Sequence, residues 1–470
     1  MRCVPSPSEG LVNVSSLTIL SNTTLEYVRQ RERDDETRYA LVVLLGEADG
    51  DRRRFELATD PMRIGREVAN HVRLSDPLVS RQHAEIHWSE IHRRHWIRDL
   101  GSRNGVHVNG TKLARGLLTA GDILRIGDAI MRFTALESGV PCEPPVEPLV
   151  VGTSRSLCNS FATAARVANS NVPVLILGPT GTGKELVAKT VHRVSGRTGP
   201  LVAVNCATLP TNLVESELFG YERGAFSGAE SARPGLFRAA HSGTLFLDEV
   251  GELPLEMQAK LLRAIDARAI RPVGGLTETS VDVRVVAATN RDLFNETRSG
   301  GGFRSDLYAR LVESVVELAP LRDRPEDLMP LWRHFVSALG QSVPIEPDAN
   351  AFEAMALYAW PFNVRELRQL VRSALLRKPH GGKLAVAELP AKMRPARQDA
   401  APEQAPSAPP PVLLLAPGEV PSKSQLRRLV EEFRGNVKNI ANFLSRDRKQ
   451  IYRWLERNQI DPDVYRQGVP

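Results

Sequence analysis

Long hydrophobic runs are absent from this sequence of 470 residues. No apolar stretch approaches the roughly 20 residues that a helix needs to cross a bilayer. The amino terminus, MRCVPSPSEG, also lacks the charged start and the apolar core of a signal peptide. We therefore expect a cytoplasmic protein that does not enter a membrane.

Cysteine is scarce, and its spacing argues against two classes of protein. The four cysteines are Cys3, Cys142, Cys158 and Cys206, and no two of them have the spacing of a metal site or a redox motif. We expect unpaired thiols in a reducing compartment rather than a disulfide framework or a zinc finger.

Neither sign of charge dominates the sequence. Lys and Arg number 61 and Asp and Glu number 55, which gives a formal net charge of +6 over the whole chain. This excess permits an anionic partner but does not identify one, so the position of the charge must decide. With 42% hydrophobic and 25% charged residues, the chain is typical of globular proteins and long enough for two or three domains.

Two segments rich in proline and alanine divide the chain. Such a composition disfavours packed helices or sheets and favours extended linkers. The predicted segments are an N-terminal extension (1–38), a first domain (39–136), a linker (137–148), a second domain (149–393), a linker (394–421) and a third domain (422–470).

The first domain consists of short β segments broken by turns, which predicts an all-β sandwich. Its polar residues fall in the turns. Arg66 lies in RIGRE, Ser80 and Arg81 lie in SRQH, and Ser102 and Asn104 lie in LGSRNG. A guanidinium group, hydroxyls and amides together suit a phosphate group, so we expect one anion pocket at these loops.

The motifs RIGR, SRQHA, DLGSRNG and VNG, in this order, resemble those of forkhead-associated (FHA) domains, which bind phosphothreonine peptides. The resemblance implies that the partner is a phosphothreonine protein or a Ser/Thr kinase, and that Asn104 holds the peptide backbone. A scaffold role for the domain stays open. The resemblance assigns the phosphate to Arg66, Ser80, Arg81 and Ser102, and it gives structural positions to Gly65, His83 and Gly105.

The second domain opens with VPVLILGPTGTGKELVAKTVHR, which is typical of a strand, a glycine loop and a helix. Backbone amides of the loop and the helix amino terminus would face phosphate oxygens, and Lys184 would neutralise the outer phosphates. Glu185 stands where Ser or Thr usually ligates magnesium, so Thr182, water or another side chain must supply that ligand. The predicted nucleotide-binding residues here are Gly178, Pro179, Thr180, Gly181, Thr182, Gly183, Lys184 and Glu185.

The stretch GTLFLDEV supplies two acids at the end of a predicted buried strand, where α/β sheets place their ligands. Asp248 would hold magnesium through its shell, and Glu249 would orient and polarise the attacking water. Because these acids follow a phosphate loop, the sequence predicts hydrolysis of ATP or GTP. Asn290, at the end of RVVAATN, is placed like a sensor of the γ-phosphate.

Three arginines complete the pattern: Arg304 and Arg310 in GGFRSDLYARL, and Arg365 in WPFNVREL. An arginine supplied across a subunit boundary stabilises phosphoryl transfer, which implies a ring. Together with VNCATL, ESELFGYERGAF and PLRDRPEDL, these segments resemble the AAA+ domain of bacterial enhancer-binding proteins, the activators of sigma-54 RNA polymerase.

That resemblance implies an ATP-hydrolysing α/β domain with a helical subdomain, which uses ATP and Mg²⁺ in a homo-oligomer, expected as a hexamer. It assigns Asn205 as the residue that restrains Glu249 until nucleotide and target are sensed. It assigns Arg304 and Arg310 to the site of a neighbouring subunit, and Arg365 as the second sensor.

The hexapeptide GAFSGA has its counterpart in that family, where it is a mobile loop that contacts sigma-54. Its glycines allow the loop to move, and the resemblance implies that Phe226 is the contacting ring. Two residues depart from the family. Ser227 replaces threonine, which removes one methyl group and about 0.8 kcal/mol or less of burial free energy. Phe362 replaces glycine near Arg365. The residues expected to contact sigma-54 are Gly224, Ala225, Phe226, Ser227, Gly228 and Ala229.

The third domain holds a short helical segment with concentrated basic residues. Asp447 is expected to cap the last helix, whose apolar residues Ile451, Trp454 and Leu455 face inward. The stretch GNVKNIANFLSRDRKQIYRWL resembles the Fis-type helix-turn-helix of enhancer-binding proteins. Such a helix enters the major groove, so enhancer DNA is the implied partner. The implied DNA-contacting residues are Arg446, Arg448, Lys449, Gln450, Tyr452 and Arg453.

The sequence thus predicts a multidomain activator in which an all-β FHA sandwich, an α/β AAA+ ATPase and an all-α helix-turn-helix follow one another. The ATPase would convert the closed complex of sigma-54 polymerase to the open complex, under control of the FHA domain. Two alternatives stay open. One is a DNA-bound FHA regulator that binds nucleotide but never engages sigma-54, and the other is an AAA+ enzyme that remodels DNA.

Overall fold

The computed structural model describes residues 38–46, 54–89, 92–136, 150–298, 302–339 and 344–394. In the C-terminal segment it describes 421–432, 437, 440, 441, 444 and 446–462. The chain divides into two compact units, one of residues 139–395 and one of residues 1–138 with 396–470. In the described ranges, no helix has the length and apolar character needed to cross a membrane.

The first domain is an antiparallel sandwich of two sheets, as predicted. One sheet has the order β2-β1-β11-β10-β7-β8 and the other β4-β3-β5-β6-β9, in which only β3 and β4 pair in parallel. Strands β8 (Thr111–Leu113) and β9 (Arg115–Leu117) have three residues each, and neither is fully buried. The strands are β1 (Arg38–Leu45), β2 (Arg54–Leu57), β3 (Met62–Gly65), β4 (Val72–Arg73), β5 (Ala84–Ser89), β6 (Arg94–Asp99), β7 (Val106–Val108), β8 (Thr111–Leu113), β9 (Arg115–Leu117), β10 (Ile123–Ile126) and β11 (Ala129–Leu136).

The second domain is built on a five-stranded parallel sheet of order β13-β16-β19-β12-β20. Its central strands read as continuous apolar runs because helices cover both faces of the sheet. The strands are β12 (Val174–Leu177), β13 (Leu201–Asn205), β16 (Thr244–Asp248), β19 (Arg284–Thr289) and β20 (Val315–Glu317). The helices of this part are α1 (Arg155–Ala168), α2 (Lys184–Val194), α3 (Val214–Phe219), α4 (Leu236–Ala239), α5 (Leu255–Ala267), α6 (Leu293–Arg298) and α7 (Ser305–Leu311).

Two short antiparallel pairs extend from this domain. One joins β14 (Gly220–Tyr221) to β15 (Arg233–Pro234), and the other joins β17 (Ala269–Ile270) to β18 (Thr279–Ser280). Tyr221 also forms a parallel bridge with Val273, so the two hairpins lie side by side. The GAFSGA segment therefore lies in a connection that is held at its base.

A helical subdomain follows, and we call it the lid. Its helices are α8 (Leu328–Ala338), α9 (Ala349–Leu357) and α10 (Asn363–Arg377), with a parallel pair of β21 (Ile345–Pro347) and β22 (Gly382–Leu384). Trp332, Phe352 and Trp360 are buried in it, and the indole N–H of Trp332 donates to the carbonyl of Ile345. The predicted α/β domain with a helical subdomain is confirmed.

In the C-terminal segment, the structure describes helices α11 (Lys423–Glu432) and α12 (Arg448–Arg457). Buried apolar residues of both helices, with Val437, Ile440 and Ala441, form one core. Most of the stretch GNVKNIANFL, nearly all of the extension and of the two linkers, and Cys3 and Cys142 lie outside the described residues. Cys158 and Cys206 are buried, and burial raises the pKa of Cys206 to about 12.

Candidate functional site

The phosphate loop lies between β12 and α2 and leaves the amino terminus of the helix open. Gly181 and Gly183 have φ angles of +79° and +112°, which glycine adopts without strain. Among the described residues, no side chain caps α2, and a β-carbon on Gly183 would meet no atom within 4 Å. The open backbone amides at the helix start therefore fit a phosphate group.

Lys184 and Glu249 form a mostly buried ion pair beside this loop. The Lys184 ammonium donates to the carbonyl of Gly178 at 3.0 Å and to Glu249 Oε1 at 3.3 Å. Glu249 Oε2 accepts the backbone N–H of Asn290 at 3.2 Å, and the Asn290 amide donates to Thr180 Oγ1 at 3.0 Å. The cation, the acid and the predicted sensor thus belong to one network.

Glu249 has a left-handed backbone, with φ of 52° and ψ of 50°. This region costs an ordinary L-residue roughly 1–2 kcal/mol, and such strain concentrates at functional sites. The left-handed conformation of Glu249 turns the chain sharply where β16 ends, and the Glu249 carboxylate lies beside Lys184.

Asp248 ends β16 and lies next to Asn205 in the sheet. Burial raises the pKa of Asp248, Glu249 raises it further, and Lys184 opposes the shift. The carboxylate accepts the backbone N–H of Glu249 and keeps free lone pairs, so it fits the first or outer shell of a magnesium ion. Thr182 Oγ1 donates to the carbonyl of Pro179, whereas Glu185 pairs with Lys189 near the surface. Thr182 is therefore better placed than Glu185 to assist Asp248 in binding a magnesium ion.

A cavity of about 400 Å³ connects the phosphate loop with the lid. One wall is apolar and the other carries the charged groups, which suits a nucleotide with a flat base and a polyphosphate. Arg365 and Arg368 reach it from α10, and neither makes a side-chain hydrogen bond or ion pair with another residue that the structure describes. The apolar wall comprises Val150, Val151, Leu157, Phe161, Leu331 and Phe335.

Asn205 has a different contact from the one that the family resemblance implies. Its side-chain oxygen accepts the backbone N–H of Ala207 at 2.9 Å and so caps a short 3₁₀ turn. Among the described residues, its amide makes no hydrogen bond with Glu249, although it lies at the neighbouring strand end. Glu249 is held by Lys184 and Asn290 instead.

Arg304 and Arg310 lie outside this cavity and are partly exposed. Arg304 binds Asp306 through two hydrogen bonds of 2.7 and 3.1 Å, and Arg310 pairs with Asp266 and Glu313. The backbone N–H of Arg304 donates to the side chain of Gln258, which is fully buried. Neither arginine serves the site of its own chain in this arrangement.

The GAFSGA segment is a tight turn with its ring outside the core. Gly224 N donates to the carbonyl of Ala229, and Ala229 N donates to the carbonyl of Phe226. The Phe226 side chain is 43% exposed and packs on Tyr221 with ring centroids 4.9 Å apart. Phe226 is thus available to a partner.

The neighbouring hairpin supports this turn, which the sequence did not indicate. A β-carbon on Gly274 would lie 2.9 Å from the side chain of Ala225, and Glu222 N donates to the carbonyl of Val273. Leu276, at the tip of this hairpin, is 87% exposed. A second apolar side chain therefore stands in the open on the adjacent hairpin.

Phe362 does not disturb the lid. Its φ of −111° is ordinary for any residue, and its ring is 55% exposed. The left-handed residues are its neighbours Trp360 and Asn363, at φ of 49° and 50°. The change from the glycine of the family is therefore accommodated by an outward-pointing ring.

In the first domain, the predicted phosphate ligands meet at one end of the sandwich. Arg66 N donates to the carbonyl of Ser80, and Ser80 Oγ accepts the N–H of Arg103. The side chains of Arg66, Arg81 and Arg103 are exposed and make no hydrogen bond or ion pair with other residues in the described part of the chain. Ser102 Oγ accepts the N–H of Gly105 at 2.9 Å. These cations and hydroxyls form a candidate anion site.

The residues expected to be structural hold these loops. His83 Nδ1 accepts the N–H of Ser80, its Nε2 bonds the carbonyl of Gly105, and burial lowers the pKa of His83. A β-carbon on Gly65 would lie 2.3 Å from the carbonyl of Arg81, so only glycine fits. Asn104, which the resemblance assigns to the peptide backbone rather than to a structural position, donates to the carbonyl of Leu78 at 2.7 Å.

The last helix, α12, has the two faces that the sequence predicts. Asp447 accepts the N–H of Lys449 at 2.9 Å and caps it, and Ile451, Trp454 and Leu455 are buried. The opposite face is exposed and strongly basic. It carries Arg448, Lys449, Gln450, Tyr452 and Arg453, with Arg446 partly exposed just before the helix.

Three family models match parts of the chain. A sigma-54 interaction domain matches residues 150–317, an FHA domain matches residues 62–127, and an AAA+ ATPase lid domain matches residues 322–406. The chain therefore combines an FHA domain with a sigma-54 interaction domain and its lid.

Similar proteins include sigma-54-dependent regulators. The sigma54-dependent transcriptional activator SfnR of Pseudomonas putida is 48% identical over 220 residues, which is 46% of this chain and 60% of SfnR. The regulatory protein AtoC of Escherichia coli is 45% identical over 231 residues, or 48% of this chain and 50% of AtoC. The chain thus spans 60% or less of either relative. A crystal structure of NtrX from Brucella abortus in complex with ATP is 30% identical, covers 67% of this chain and 70% of NtrX, and has a TM-score of 0.48.

Proposed function

We propose that this protein is an ATP-driven activator of transcription by sigma-54 RNA polymerase. One observation carries the proposal: a phosphate loop with its buried Lys184–Glu249 pair lies in the same domain as an exposed Phe226 on a glycine turn. A domain that only binds nucleotide would account for the phosphate loop but not for the exposed Phe226. A domain that only binds a partner would account for Phe226 but not for the phosphate loop.

ATP would lie in the cavity between the phosphate loop and the lid. The backbone amides at the start of α2 bind its phosphates, and Lys184 neutralises their charge. Magnesium, when bound with ATP, shields the phosphate charge during transfer, and Asp248 with Thr182 would hold it. Glu249 accepts a proton from the attacking water, and Asn290 orients the Glu249 carboxylate.

Turnover would need a neighbouring subunit. Arg304 and Arg310 lie outside the cavity of their own chain and are 43% and 39% exposed, so each could exchange its surface ion pair for the site of another copy. Their charge would stabilise the transition state from across the boundary. We infer a homo-oligomeric ring, most simply a hexamer, with sites at its seams.

Phe226 would transmit the work of this ring to sigma-54. An exposed aromatic ring buries a large area on contact with a partner, and the glycines at positions 224 and 228 have φ of +83° and +102°, which side-chain-bearing residues rarely adopt. Ser227 keeps the hydroxyl group of the threonine found in the family. Movement of this turn is how we expect hydrolysis to open the promoter complex.

One flanking domain would regulate the ATPase, and the other would bind it to DNA. We propose that residues 39–136 bind a phosphothreonine on a partner protein or kinase, because three arginines near Ser80 have no side-chain partner in the described part of the chain. Residues 422–470 would bind enhancer DNA as a Fis-type helix-turn-helix, with the exposed basic face of α12 in the major groove. The linkers 137–148 and 394–421 would connect them to the ATPase.

Transcription in vitro from a sigma-54 promoter tests the proposal. We expect the wild-type protein to activate transcription with ATP, and Phe226→Ala to keep its ATPase activity while losing activation. Phe294→Ala, which removes another exposed ring that is 51% exposed, is the matched control and should stay active. Equal output from wild type and Phe226→Ala would favour a regulator that never engages sigma-54. Strand separation without polymerase would favour a DNA-remodelling enzyme.

A further inference from the structure

The lid and the segment before it donate hydrogen bonds to the backbone of the phosphate loop. Three consecutive carbonyl oxygens of the loop, at positions 180, 181 and 182, each accept a hydrogen bond from the lid or from the segment that leads into it. The donors are Asn363 Nδ2 to Thr180 at 2.9 Å, Val364 N to Gly181 at 3.0 Å and Arg324 Nη2 to Thr182 at 3.1 Å.

Arg324 is fixed in place by a buried network. Its side chain is 3% exposed and pairs with Asp327, which is fully buried. Asp327 Oδ1 accepts the backbone N–H groups of Thr153 and Ser154 at 2.7 and 2.8 Å, and its Oδ2 accepts the Ser154 hydroxyl. A buried pair is stabilised when its remaining hydrogen bonds are satisfied, and the Asp327 carboxylate meets that condition, whereas Arg324 Nε has no partner among the described residues. The two Nη groups of Arg324 thus connect the anchored carboxylate of Asp327 to the carbonyl of Thr182.

Asn363 uses both halves of its amide. Its oxygen accepts the N–H of Leu321 at 2.8 Å while its NH₂ group reaches the carbonyl of Thr180. Its backbone has a φ of 50°, a conformation that asparagine tolerates better than most residues. The side chain is almost fully buried, so solvent cannot replace either bond.

The backbones themselves come into close contact. A β-carbon on Gly181 would lie 2.3 Å from the carbonyl oxygen of Phe362, so no side chain fits between the loop and the lid. Gly181 thus serves two purposes, the turn of the phosphate loop and the approach of the lid.

Peptide planarity connects these contacts with the ligand side of the loop. In a trans peptide the C=O and the next N–H point in opposite directions, so a carbonyl fixed toward the lid fixes the following N–H away from it. The carbonyls at 180, 181 and 182 therefore set the direction of the N–H groups at 181, 182 and 183. The N–H groups at 181 and 183 would bind phosphate, whereas the N–H of Thr182 donates to the carbonyl of Pro179 at 3.4 Å.

We propose that Arg324 and Asn363 are positioning residues that aim the amides of the phosphate loop at ATP. The proposal rests on the proposed ATPase function. Because the donors belong to the lid side, displacement of the lid would release the three carbonyls together and would weaken ATP binding.

Asn363→Gly and Arg324→Lys test this in the full-length chain. Glycine keeps the left-handed backbone but removes the amide, and lysine keeps a charge for Asp327 but lacks the second branch that reaches Thr182. We expect each to raise the Kd for ATP with Mg²⁺, measured by titration calorimetry, about tenfold, as for one lost buried hydrogen bond. The KM for ATP should rise with it while kcat at saturating ATP stays near wild type.

Asp348→Ala is the control, because it removes the cap of α9 in the same lid. The Asp348 side chain accepts the N–H of Ala351, and its backbone bonds Leu384 and Phe352, so none of these hydrogen bonds reaches the loop. An unchanged Kd in Asn363→Gly and Arg324→Lys would overturn the proposal, as would an equal rise in Asp348→Ala, since lid stability alone would then explain it. If the wild-type protein itself bound no ATP, the ATPase function would fail first.

Discussion

The Lys184 ammonium lies 3.3 Å from a carboxylate oxygen of Glu249, and the side chains are only 7% and 17% exposed. The pair joins the residue that would neutralise phosphate to the residue that would activate water. Each charge compensates the other in a poorly solvated site, which otherwise would disfavour both. The other oxygen of Glu249 is held by the backbone of Asn290, so the carboxylate has a defined orientation.

Glu249→Gln should separate ATP binding from hydrolysis. Glutamine keeps an oxygen that can accept from Lys184 or Asn290, but it cannot take a proton from water. We expect ATP binding to be retained and turnover to fall roughly 10²- to 10⁴-fold, the contribution of a general base. Calorimetry and phosphate release measure the two quantities. Glu252→Gln, on an acid that is 46% exposed and pairs with Arg291, should leave both intact; wild-type turnover in Glu249→Gln would show that the base is elsewhere.

Asp248→Asn should stabilise the protein at neutral pH and abolish ATP turnover. Burial raises the folded-state pKa of Asp248 above its ordinary value of 3.8, so the folded chain binds this proton more tightly than the unfolded chain. The free energy of unfolding of the wild type therefore falls as pH rises from 3.8 through the raised pKa. A neutral amide avoids this loss. The stability gain of the variant should shrink as the solution is acidified.

Asp282→Asn provides a control with the opposite sign. A hydrogen bond from Arg197 lowers the pKa of Asp282, so the charged form stabilises the fold above the ordinary pKa. We expect this variant to be less stable than the wild type at neutral pH. Urea unfolding followed by tryptophan fluorescence at about pH 7 and about pH 5 compares the variants. A destabilised Asp248→Asn at the higher pH would show that its carboxylate is held by favourable contacts instead.

Arg304→Ala should stop turnover without weakening ATP binding. The side chain is exposed and bonds only Asp306 among the described residues, so its loss should not disturb the site of its own chain. Arg322→Ala removes another exposed arginine, which pairs with Asp323, and should remain active. Specific activity should also rise with protein concentration, because each site needs two subunits.

Mixing two inactive variants sharpens this test. In a mixed ring of Arg304→Ala and Lys184→Ala subunits, some seams carry both wild-type groups, so part of the activity should return. No recovery in a mixture that assembles normally, or activity that is independent of concentration down to the monomer, would contradict a shared site.

The nucleotide-binding motifs were predictable because the functional groups of each motif lie in one short contiguous segment. The phosphate loop needs only the strand, glycines and lysine of one segment, and Asp248 and Glu249 follow directly from a buried strand. The hydrogen bonds from the lid side to the phosphate loop were not predictable. Asn363 and Thr180 are 183 residues apart in the sequence, and Arg324 and Thr182 are 142 apart. Pairing across such distances depends on the packing of two subdomains, which no local pattern encodes.

Asn205 and Arg368 show two other limits of sequence reasoning. Asn205 was assigned through family resemblance, and that role stays a prediction; the contact of its oxygen with a local turn could not be read from the sequence. Arg368 was overlooked although it follows Arg365 by about one helical turn and so shares its face. The first needs side-chain geometry, whereas the second could have been found from helical spacing alone.

Arg66→Ala should abolish most phosphopeptide binding by the first domain. The Arg66 guanidinium is exposed beside Ser80 and lacks a partner among the described residues, so it is available to a phosphate group. Loss of a charge-assisted hydrogen bond should lower the affinity for a phosphothreonine peptide about 10- to 100-fold.

Arg63→Ala is the matched control, because Arg63 is 55% exposed on the same sheet but is already paired with Glu85. Fluorescence anisotropy with one labelled peptide, in phosphothreonine and unphosphorylated forms, measures both variants. The unphosphorylated peptide should bind neither protein. If Arg66→Ala bound the phosphopeptide as well as Arg63→Ala does, the arginines around Ser80 would not form a phosphate site, and the domain would act as a scaffold whose control of the ATPase does not depend on phosphorylation.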